Sequence, residues 1–182
     1  MAPAHTDGQD ITAPTLRISE RVEGVKKLEK AGSDFIIIAC NTVHYFYDQM
    51  QNAVNIPILS IVDETVKAAK KERFKRVGIL SSESTNKLQI YQNKFIKSGI
   101  EALSVTPCQQ ELLNEVILNI MAGVHGKKDT RSLNVVIESL KKRGAESVIL
   151  GCTEIPLAIH QDDTEIPLLD STHIIVEAAL KY

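Results

Sequence analysis

The chain has 182 residues, of which 43% are apolar and 24% charged, and its formal net charge is −2. This is the composition of an ordinary globular protein with room for one domain or two small ones. The near-neutral charge and the short, interspersed basic clusters exclude a phosphate-binding track, so we expect no nucleic-acid partner. No apolar run approaches the roughly 20 residues of a membrane-spanning helix, so we expect no membrane partner.

The N-terminus and the cysteine content indicate the compartment. The first 15 residues, MAPAHTDGQDITAPT, are polar and lack the basic-then-apolar pattern of a secretion signal. The three cysteines, an odd number, are Cys40, Cys108 and Cys152. Without a secretion signal, they favour reduced thiols and therefore a cytoplasmic protein.

In the first part of the chain, short apolar runs alternate with amphipathic segments. The pattern predicts a loop at 1–15, helices at 21–30, 43–53 and 63–71, and strands at 35–39 and 56–60. Residues 35–39 (FIIIA) are continuously apolar, which is typical of a strand buried on both faces of a parallel sheet. Gly32 ends the helix before this strand.

The same alternation continues to the C-terminus. It predicts strands at 76–80, 102–105, 148–150 and 167–169, and helices at 86–97, 109–122, 129–143 and 172–181. Ser98-Gly99 ends the helix at 86–97. Strands that alternate with helices in this way predict an α/β fold with parallel strands and right-handed crossovers.

An internal repeat relates the two halves of the chain. Residues 28–42 (LEKAGSDFIIIACNT) resemble residues 140–154 (LKKRGAESVILGCTE), and the repeat aligns Cys40 with Cys152 at an offset of 112 residues. At nearly the same offset, IPILSIVDETVKAAKK from Ile56 matches IPLLDSTHIIVEAALK from Ile166. A duplicated unit with one thiol per copy predicts two half-sites that face each other.

The repeat also predicts that the first copy is incomplete. In the second copy, a strand–helix–strand unit at 76–105 precedes the duplicated part, and its counterpart in the first copy would lie before residue 1. We favour the interpretation that an N-terminal piece of about 35–45 residues is lacking. The alternative is that the first half is built differently.

Each repeated cysteine follows a predicted strand and precedes a predicted helix. This position is the carboxyl end of a parallel strand, where open α/β sheets bind their ligands. Amides at a helix N-terminus would lower the pKa of such a thiol, and together with the hydroxyls of Thr42 and Thr153 they can bind a carboxylate. Asn41 adds a group that both donates and accepts hydrogen bonds. Two thiols on opposite faces of an amino-acid Cα can move its proton across, which predicts a cofactor-independent racemase or isomerase.

Purely structural or metal-binding roles are the alternatives for these residues. A single cysteine after an apolar strand usually serves as a small core residue, but two at equivalent repeat positions, each followed by threonine within two residues, favour a function. A Cys40–Cys152 disulfide is disfavoured by the predicted compartment. His44 and His160 lie near the cysteines but lack zinc-ligand spacing, so we expect no metal. Cys108 has no repeat partner and is interpreted as incidental.

The motifs around the two cysteines resemble those of the aspartate/glutamate racemase superfamily. They are Ala39-Cys40-Asn41-Thr42, followed by Val43-His44, and Leu150-Gly151-Cys152-Thr153-Glu154-Ile155. Glu154 after Cys-Thr is similar to the aspartate racemase branch, whereas glutamate racemases carry His-Tyr-Pro there. The similarity extends from about Arg21 to the C-terminus.

This resemblance implies two pseudo-symmetric α/β domains with the active site between them. Residues 1–72 and 164–182 would form the first domain, which is N-terminally incomplete, and residues 73–163 the second. It assigns the acid/base pair to Cys40 and Cys152, and substrate binding to Asn41, Thr42, Thr153, Ser82 and Thr85. It also implies an amino-acid substrate, aspartate or glutamate, no cofactor, and a homodimer.

Three departures from the family pattern keep other functions open. The glycine-rich first strand, an arginine in a P-x-R segment and a lysine at the position of Met121 are absent. The alternatives are therefore a truncated, catalytically inactive racemase-like binding protein, or a gene-model fragment. A related cysteine-pair isomerase acting on maleate or hydantoins is a further alternative, which the Cys-Thr-Glu motif disfavours.

Overall fold

The structure is a computed structural model that describes residues 18–182. Its helices are α1 (Ile18–Lys30), α2 (Tyr47–Gln51), α3 (Ile61–Lys71), α4 (Glu83–Lys87), α5 (Ile90–Lys97), α6 (Pro107–Met121), α7 (Lys127–Lys142) and α8 (Ser171–Ala179). Its strands are β1 (Ile36–Ile37), β2 (Ile58–Leu59), β3 (Arg76–Ser81), β4 (Glu101–Ser104), β5 (Ser147–Gly151) and β6 (Leu168–Asp170). The loop predicted at 1–15 lies outside the described residues.

The strands form two parallel sheets. One sheet has four strands in the order β4-β3-β5-β6, and the other consists of β1 and β2. In the register of the larger sheet, Leu80 pairs with Leu150 and Ser81 with Gly151, so β3 and β5 end side by side. The prediction of an α/β fold with parallel strands is confirmed.

Helices cover both faces of the four-stranded sheet. On one face, α6 and α7 enclose a core that includes Leu113, Leu133 and Leu150. On the other face, α3, α5 and α8 enclose a second core that includes Ile61, Phe95 and others. A sheet covered on both faces explains why β3 and β5 are buried along nearly their whole length.

The small sheet has a core of its own, and its first strand is shorter than predicted. Val25 of α1, Met50 of α2 and Ile36 of β1 belong to one apolar cluster. The apolar run at 35–39 predicted a strand buried on both faces, but β1 spans two residues and Ile37 is 40% exposed. The prediction was wrong on this point because β1 packs only one of its faces against that cluster.

The helix predicted at 86–97 is interrupted. It consists of α4 and α5, and Gln89 between them adopts a left-handed conformation with φ 53°. The break leaves α4 as a short helix directly after β3. Ser82 begins this helix as its N-cap, and its side chain accepts a hydrogen bond from the amide of Thr85.

The segments on either side of the predicted domain boundaries contact the four-stranded sheet. Ile61 and Val62 of α3 and Ile175 of α8 share a core cluster with Val77 and Ile79 of β3. Strand β6 pairs with β5, as Val148 with Leu168. The division into residues 1–72 with 164–182 and residues 73–163 stays a prediction.

Candidate active site

Three hydroxyl groups meet beyond the carboxyl ends of β1 and β3, which belong to different sheets. Thr42 Oγ1 lies 2.7 Å from Thr85 Oγ1 and 3.3 Å from Ser82 Oγ, and Ser82 Oγ donates to Thr85 Oγ1 at 3.1 Å. Thr85 is buried, whereas Thr42 and Ser82 are half-buried. Hydroxyl groups can rotate to donate, so this cluster can turn hydrogen-bond donors toward an anion.

Asn41 precedes Thr42 of this cluster in the sequence, and its side chain is buried. Its Oδ1 accepts a hydrogen bond from the hydroxyl of Tyr91, on helix α5. Its Nδ2 has no hydrogen-bond partner, although the residue is only 3% exposed. A buried amide that donates to nothing costs free energy, and a ligand oxygen would satisfy it.

The loop that carries Cys40 is fixed by His44. The amide of Ile61 donates to His44 Nε2 at 3.2 Å, so the other ring nitrogen, Nδ1, carries the proton and donates to the Cys40 carbonyl at 2.9 Å. Burial lowers the pKa of His44, which keeps the imidazole neutral. The thiol of Cys40 is half-buried and free.

Cys152 lies directly after β5, and its thiol donates a hydrogen bond to a carboxylate. Its Sγ lies 2.9 Å from Glu154 Oε2, which also accepts from the hydroxyl of Thr153 at 3.0 Å. Burial, and next the hydrogen bond to Glu154, raise the pKa of Cys152 to about 12. Cys152 is therefore a thiol at neutral pH.

For Cys152, this direction corrects the sequence-based expectation that helix amides lower the pKa of the thiol. The residues after Cys152 form a three-residue 3-10 turn at Ile155–Leu157, and those after Cys40 form a 3-10 turn at Thr42–Phe46. Neither cysteine therefore precedes an α-helix directly, and at Cys152 burial and the carboxylate of Glu154 decide the pKa.

The two cysteine loops lie in one region of the molecule. The contacts of Tyr91 with Asn41 and with Gly151 bring the ends of β1 and β5 together. A negative charge on Cys40 is among the smaller causes that raise the pKa of Cys152.

Gly151, before Cys152, has no room for a side chain. A Cβ at this position would lie 2.9 Å from Tyr91 Cε2 and 3.2 Å from the carbonyl oxygen of Leu80. The close approach lets the ring of Tyr91 pack against the backbone that leads into Cys152.

A separate cavity of about 230 Å³ lies beside the Cys40 loop. His44, Tyr45, Ser60 and Lys94 are among its lining residues, and neither cysteine lines it. The cavity and the two thiols therefore lie in different places, and the thiols define the candidate active site. Within residues 18–182, no three His, Cys, Asp or Glu residues form a cluster that could hold a metal ion.

The sequence did not predict the roles of Tyr91, His44 and Glu154. Tyr91 lies 50 residues after Asn41, and no local pattern signals their contact. For His44 the sequence indicated membership of the Val43-His44 motif and no metal site, although its four-residue spacing from Cys40 allows the hydrogen bond that forms. Glu154 belongs to the motif that resembles the aspartate racemase branch. Its adjacency to Cys152 and Thr153 could have indicated a carboxylate that accepts hydrogen bonds from both side chains. Met121, where the resemblance implied a lysine, is 68% exposed at the end of α6.

Comparisons with known proteins agree with the motifs. The profile of the Asp/Glu/Hydantoin racemase family matches residues 1–179. The chain is 31% identical over 159 residues to the broad specificity amino-acid racemase RacX of Bacillus subtilis (strain 168), covering 87% of this chain and 69% of that protein. It is 29% identical over 133 residues to the glutamate racemase of Aquifex pyrophilus, covering 71% of this chain and 50% of that protein.

Solved structures agree with the fold. An aspartate racemase homologue from Pyrococcus horikoshii OT3 superimposes with a TM-score of 0.82 at 29% identity, covering 96% of this chain and 77% of that one. The aspartate racemase of Picrophilus torridus gives a TM-score of 0.76 at 25% identity, covering 95% of this chain and 73% of that one. The fold of this chain is therefore a known architecture.

Proposed function

The chain belongs to the Asp/Glu/Hydantoin racemase family, and we propose that it is an amino-acid racemase that uses Cys40 and Cys152 as its acid/base pair. The observation that carries the proposal is the pair of free, half-buried thiols at equivalent positions of the internal repeat. We propose aspartate or glutamate as the substrate, and a reaction without a cofactor.

The proposed reaction moves one proton across the Cα atom. A thiolate removes the Cα proton and becomes a thiol, while the thiol on the opposite face donates its proton and becomes a thiolate. The raised pKa of Cys152 suits the donor in the resting enzyme, and Cys40 is then the base. After one turnover Cys40 holds a proton and Cys152 is a thiolate, so the site resets when Cys40 releases a proton to solvent and Cys152 takes one up, which restores the hydrogen bond from the Cys152 thiol to Glu154.

The proposed carboxylate site uses groups that the described residues leave available. The unpartnered Nδ2 of Asn41 and the hydroxyls of Thr42, Ser82 and Thr85 are donors close to the Cys40 loop. Thr153 is the corresponding hydroxyl at Cys152, where it donates to Glu154. Negative charge that develops on the substrate carboxylate after proton removal would be stabilised by such fixed donors.

The central test replaces each thiol with a hydroxyl. We expect Cys40→Ser or Cys152→Ser to abolish racemisation, followed by the circular dichroism of L-aspartate and L-glutamate over time. Cys108→Ser is the matched control, because Cys108 is exposed and lies in no cluster with the other two. A Cys40 or Cys152 variant that keeps the wild-type rate would falsify the two-thiol mechanism.

Proton exchange in D₂O sharpens this test. Wild-type protein should incorporate deuterium at Cα of both enantiomers, as measured by the loss of the Cα proton signal in NMR spectra. Maleate and hydantoins, assayed in parallel, test the related cysteine-pair isomerase. Binding of aspartate in calorimetry without any turnover would instead support an inactive, racemase-like binding protein.

We also propose that the protein is cytoplasmic and forms a homodimer. Free thiols at all three cysteines suit a reducing compartment. None of the helices within residues 18–182 has the length and apolar character of a membrane span. Light scattering coupled to gel filtration measures the oligomeric state, and a mass near 20 kDa would contradict the dimer.

A further inference from the structure

Tyr91 lies between the two cysteine loops and contacts both. It is fully buried, and its hydroxyl donates to Oδ1 of Asn41, the residue after Cys40. Its ring is so close to Gly151, the residue before Cys152, that a Cβ there would lie 2.9 Å from Cε2. One side chain from helix α5 therefore sets the position of groups in both half-sites.

The hydroxyl of Tyr91 donates its proton to the side-chain oxygen of Asn41. Burial raises the pKa of Tyr91 to about 12, so the phenol stays protonated at physiological pH. The neighbouring hydroxyls of Ser171 and Thr65 donate to the carbonyls of Leu150 and Ile61, at 2.7 Å each. Because an amide oxygen can only accept, Tyr91 is the donor in its hydrogen bond with Asn41 Oδ1.

This bond decides which way the amide of Asn41 faces. A donor fixed at Oδ1 excludes the flipped amide, since the NH₂ group would then meet the phenol proton. The NH₂ group is held on the other side, where it is buried without a partner. The unpaired donor is therefore presented to a ligand by Tyr91 rather than by Asn41 alone.

We infer that Tyr91 is a positioning residue of the racemase site, which holds the Asn41 amide with its NH₂ group toward the substrate carboxylate and supports the backbone before Cys152. This inference rests on the proposed function. Tyr91 does not touch the reacting atoms, so it acts through Asn41 and Gly151.

The test removes only the hydroxyl. We expect Tyr91→Phe to raise the KM for aspartate about tenfold, on the order of the loss of one hydrogen bond to a charged group, with a smaller change in kcat. Tyr47→Phe is the matched control, because Tyr47 donates its hydroxyl proton to the Ile58 carbonyl, away from Asn41. That variant also loses a partly buried phenol hydrogen bond, and its KM should stay within about twofold of the wild-type value.

A double-mutant cycle separates positioning from general stability. If Tyr91 acts through Asn41, Tyr91→Phe should raise KM in the wild-type background and have no further effect in the Asn41→Ala background. Additive effects of the two substitutions would overturn the inference. An equal rise in KM for Tyr47→Phe would do the same, because it would show that any loss of stability is sufficient.

The amide resonances of Asn41 test the orientation without any activity. In protein labelled with ¹⁵N-asparagine, the side-chain NH₂ signals of Asn41 should shift or broaden in Tyr91→Phe and stay unchanged in Tyr47→Phe. Unchanged signals in Tyr91→Phe would overturn the inference whether or not the protein is a racemase. Shifted signals in a protein without racemase activity would keep the positioning contact and reject the proposed function.

Discussion

Both ring nitrogens of His44 form hydrogen bonds, so a change in the charge of the imidazole would disturb the contacts that fix the Cys40 loop. Nε2 accepts from the amide of Ile61, and Nδ1 donates to the Cys40 carbonyl. A second proton would remove the acceptor and leave the Ile61 amide facing a donor. Burial is the largest cause that lowers the pKa of His44, and a charge on Lys94 lowers it further.

His44 should therefore make the fold less stable in acid. The unfolded chain takes up a proton at His44 near pH 6.5, whereas the folded protein does so only at a lower pH. The contribution to stability is complete above pH 6.5 and is lost as pH falls toward the folded-state pKa. The loss is at most about 1.4 kcal/mol per pH unit for a single proton, measured by urea denaturation between pH 7.5 and 5.

The comparison of two histidine variants isolates this effect. His44→Gln keeps a group that can donate and accept but cannot be protonated in this range, so the slope of stability against pH should flatten. His160→Gln is the control, because the side chain of His160 is exposed. Equal slopes for wild type and His44→Gln would show that other groups cause the acid sensitivity.

Part of the candidate site follows from the sequence, and part depends on contacts between distant segments. Cys40 and Cys152 were identified because a repeat is visible along the chain, and the predicted Thr42, Ser82 and Thr85 do form one hydroxyl cluster. Their catalytic and binding roles stay predictions. The pKa of Cys152 could not be predicted, because burial is its largest cause and burial depends on the packing of the whole sheet.

At the level of secondary structure, most helices end next to a residue in the left-handed conformation, and two of these residues, Arg73 and Gln89, are not glycine. Four glycines occupy the left-handed conformation after α1, α5, α6 and α7, namely Gly32, Gly99, Gly123 and Gly144. After α3, the same conformation is adopted by Arg73, with φ 63°. The amide of Phe74 then bonds to the Ala69 carbonyl, as expected for a helix closed by a left-handed residue.

Replacement of Arg73 by glycine should stabilise the protein. A side chain in the left-handed conformation is strained, and glycine adopts it without this cost, so Arg73→Gly should raise the free energy of unfolding by about 0.5–1 kcal/mol. Arg73 is exposed, so little packing is lost. Arg73→Ala is the control, because it removes the same charge and keeps the Cβ. A gain of equal size in both variants, measured by urea denaturation, would attribute the effect to the charge.

The secondary structure was predictable where a glycine or a long apolar period marks it. The glycines at 32 and 99 correctly ended two helices, and the parallel strands β3 and β5 lie where the buried apolar runs predicted them. The break at Gln89 was missed, because glutamine carries no signal for the left-handed conformation that separates α4 from α5. The length of β1 was overestimated because only the packing shows that Ile37 is left exposed.

At the scale of the whole molecule, the candidate site joins segments that follow the small sheet and segments that pack on the large sheet. Thr42 follows the small sheet and bonds to Ser82 and Thr85, which follow β3 of the large sheet. Asn41 bonds to Tyr91 on α5, which packs against the large sheet. A ligand held by these groups contacts both sheets at once, so its binding energy should stabilise the fold as a unit.

Acidic amino acids should therefore raise the melting temperature of the protein. At 100 times its dissociation constant, a ligand that binds only the folded state adds about 2.7 kcal/mol to the free energy of unfolding. For a chain of this size, that corresponds to roughly 5–10 °C. L-aspartate and D-aspartate should both produce the shift, since both enantiomers are substrates of a racemase, and Asn41→Ala should reduce it. L-alanine lacks the second carboxylate and is the control. Equal shifts with L-alanine and L-aspartate would contradict an acidic substrate, and a shift with only one enantiomer of aspartate would favour a binding protein over a racemase.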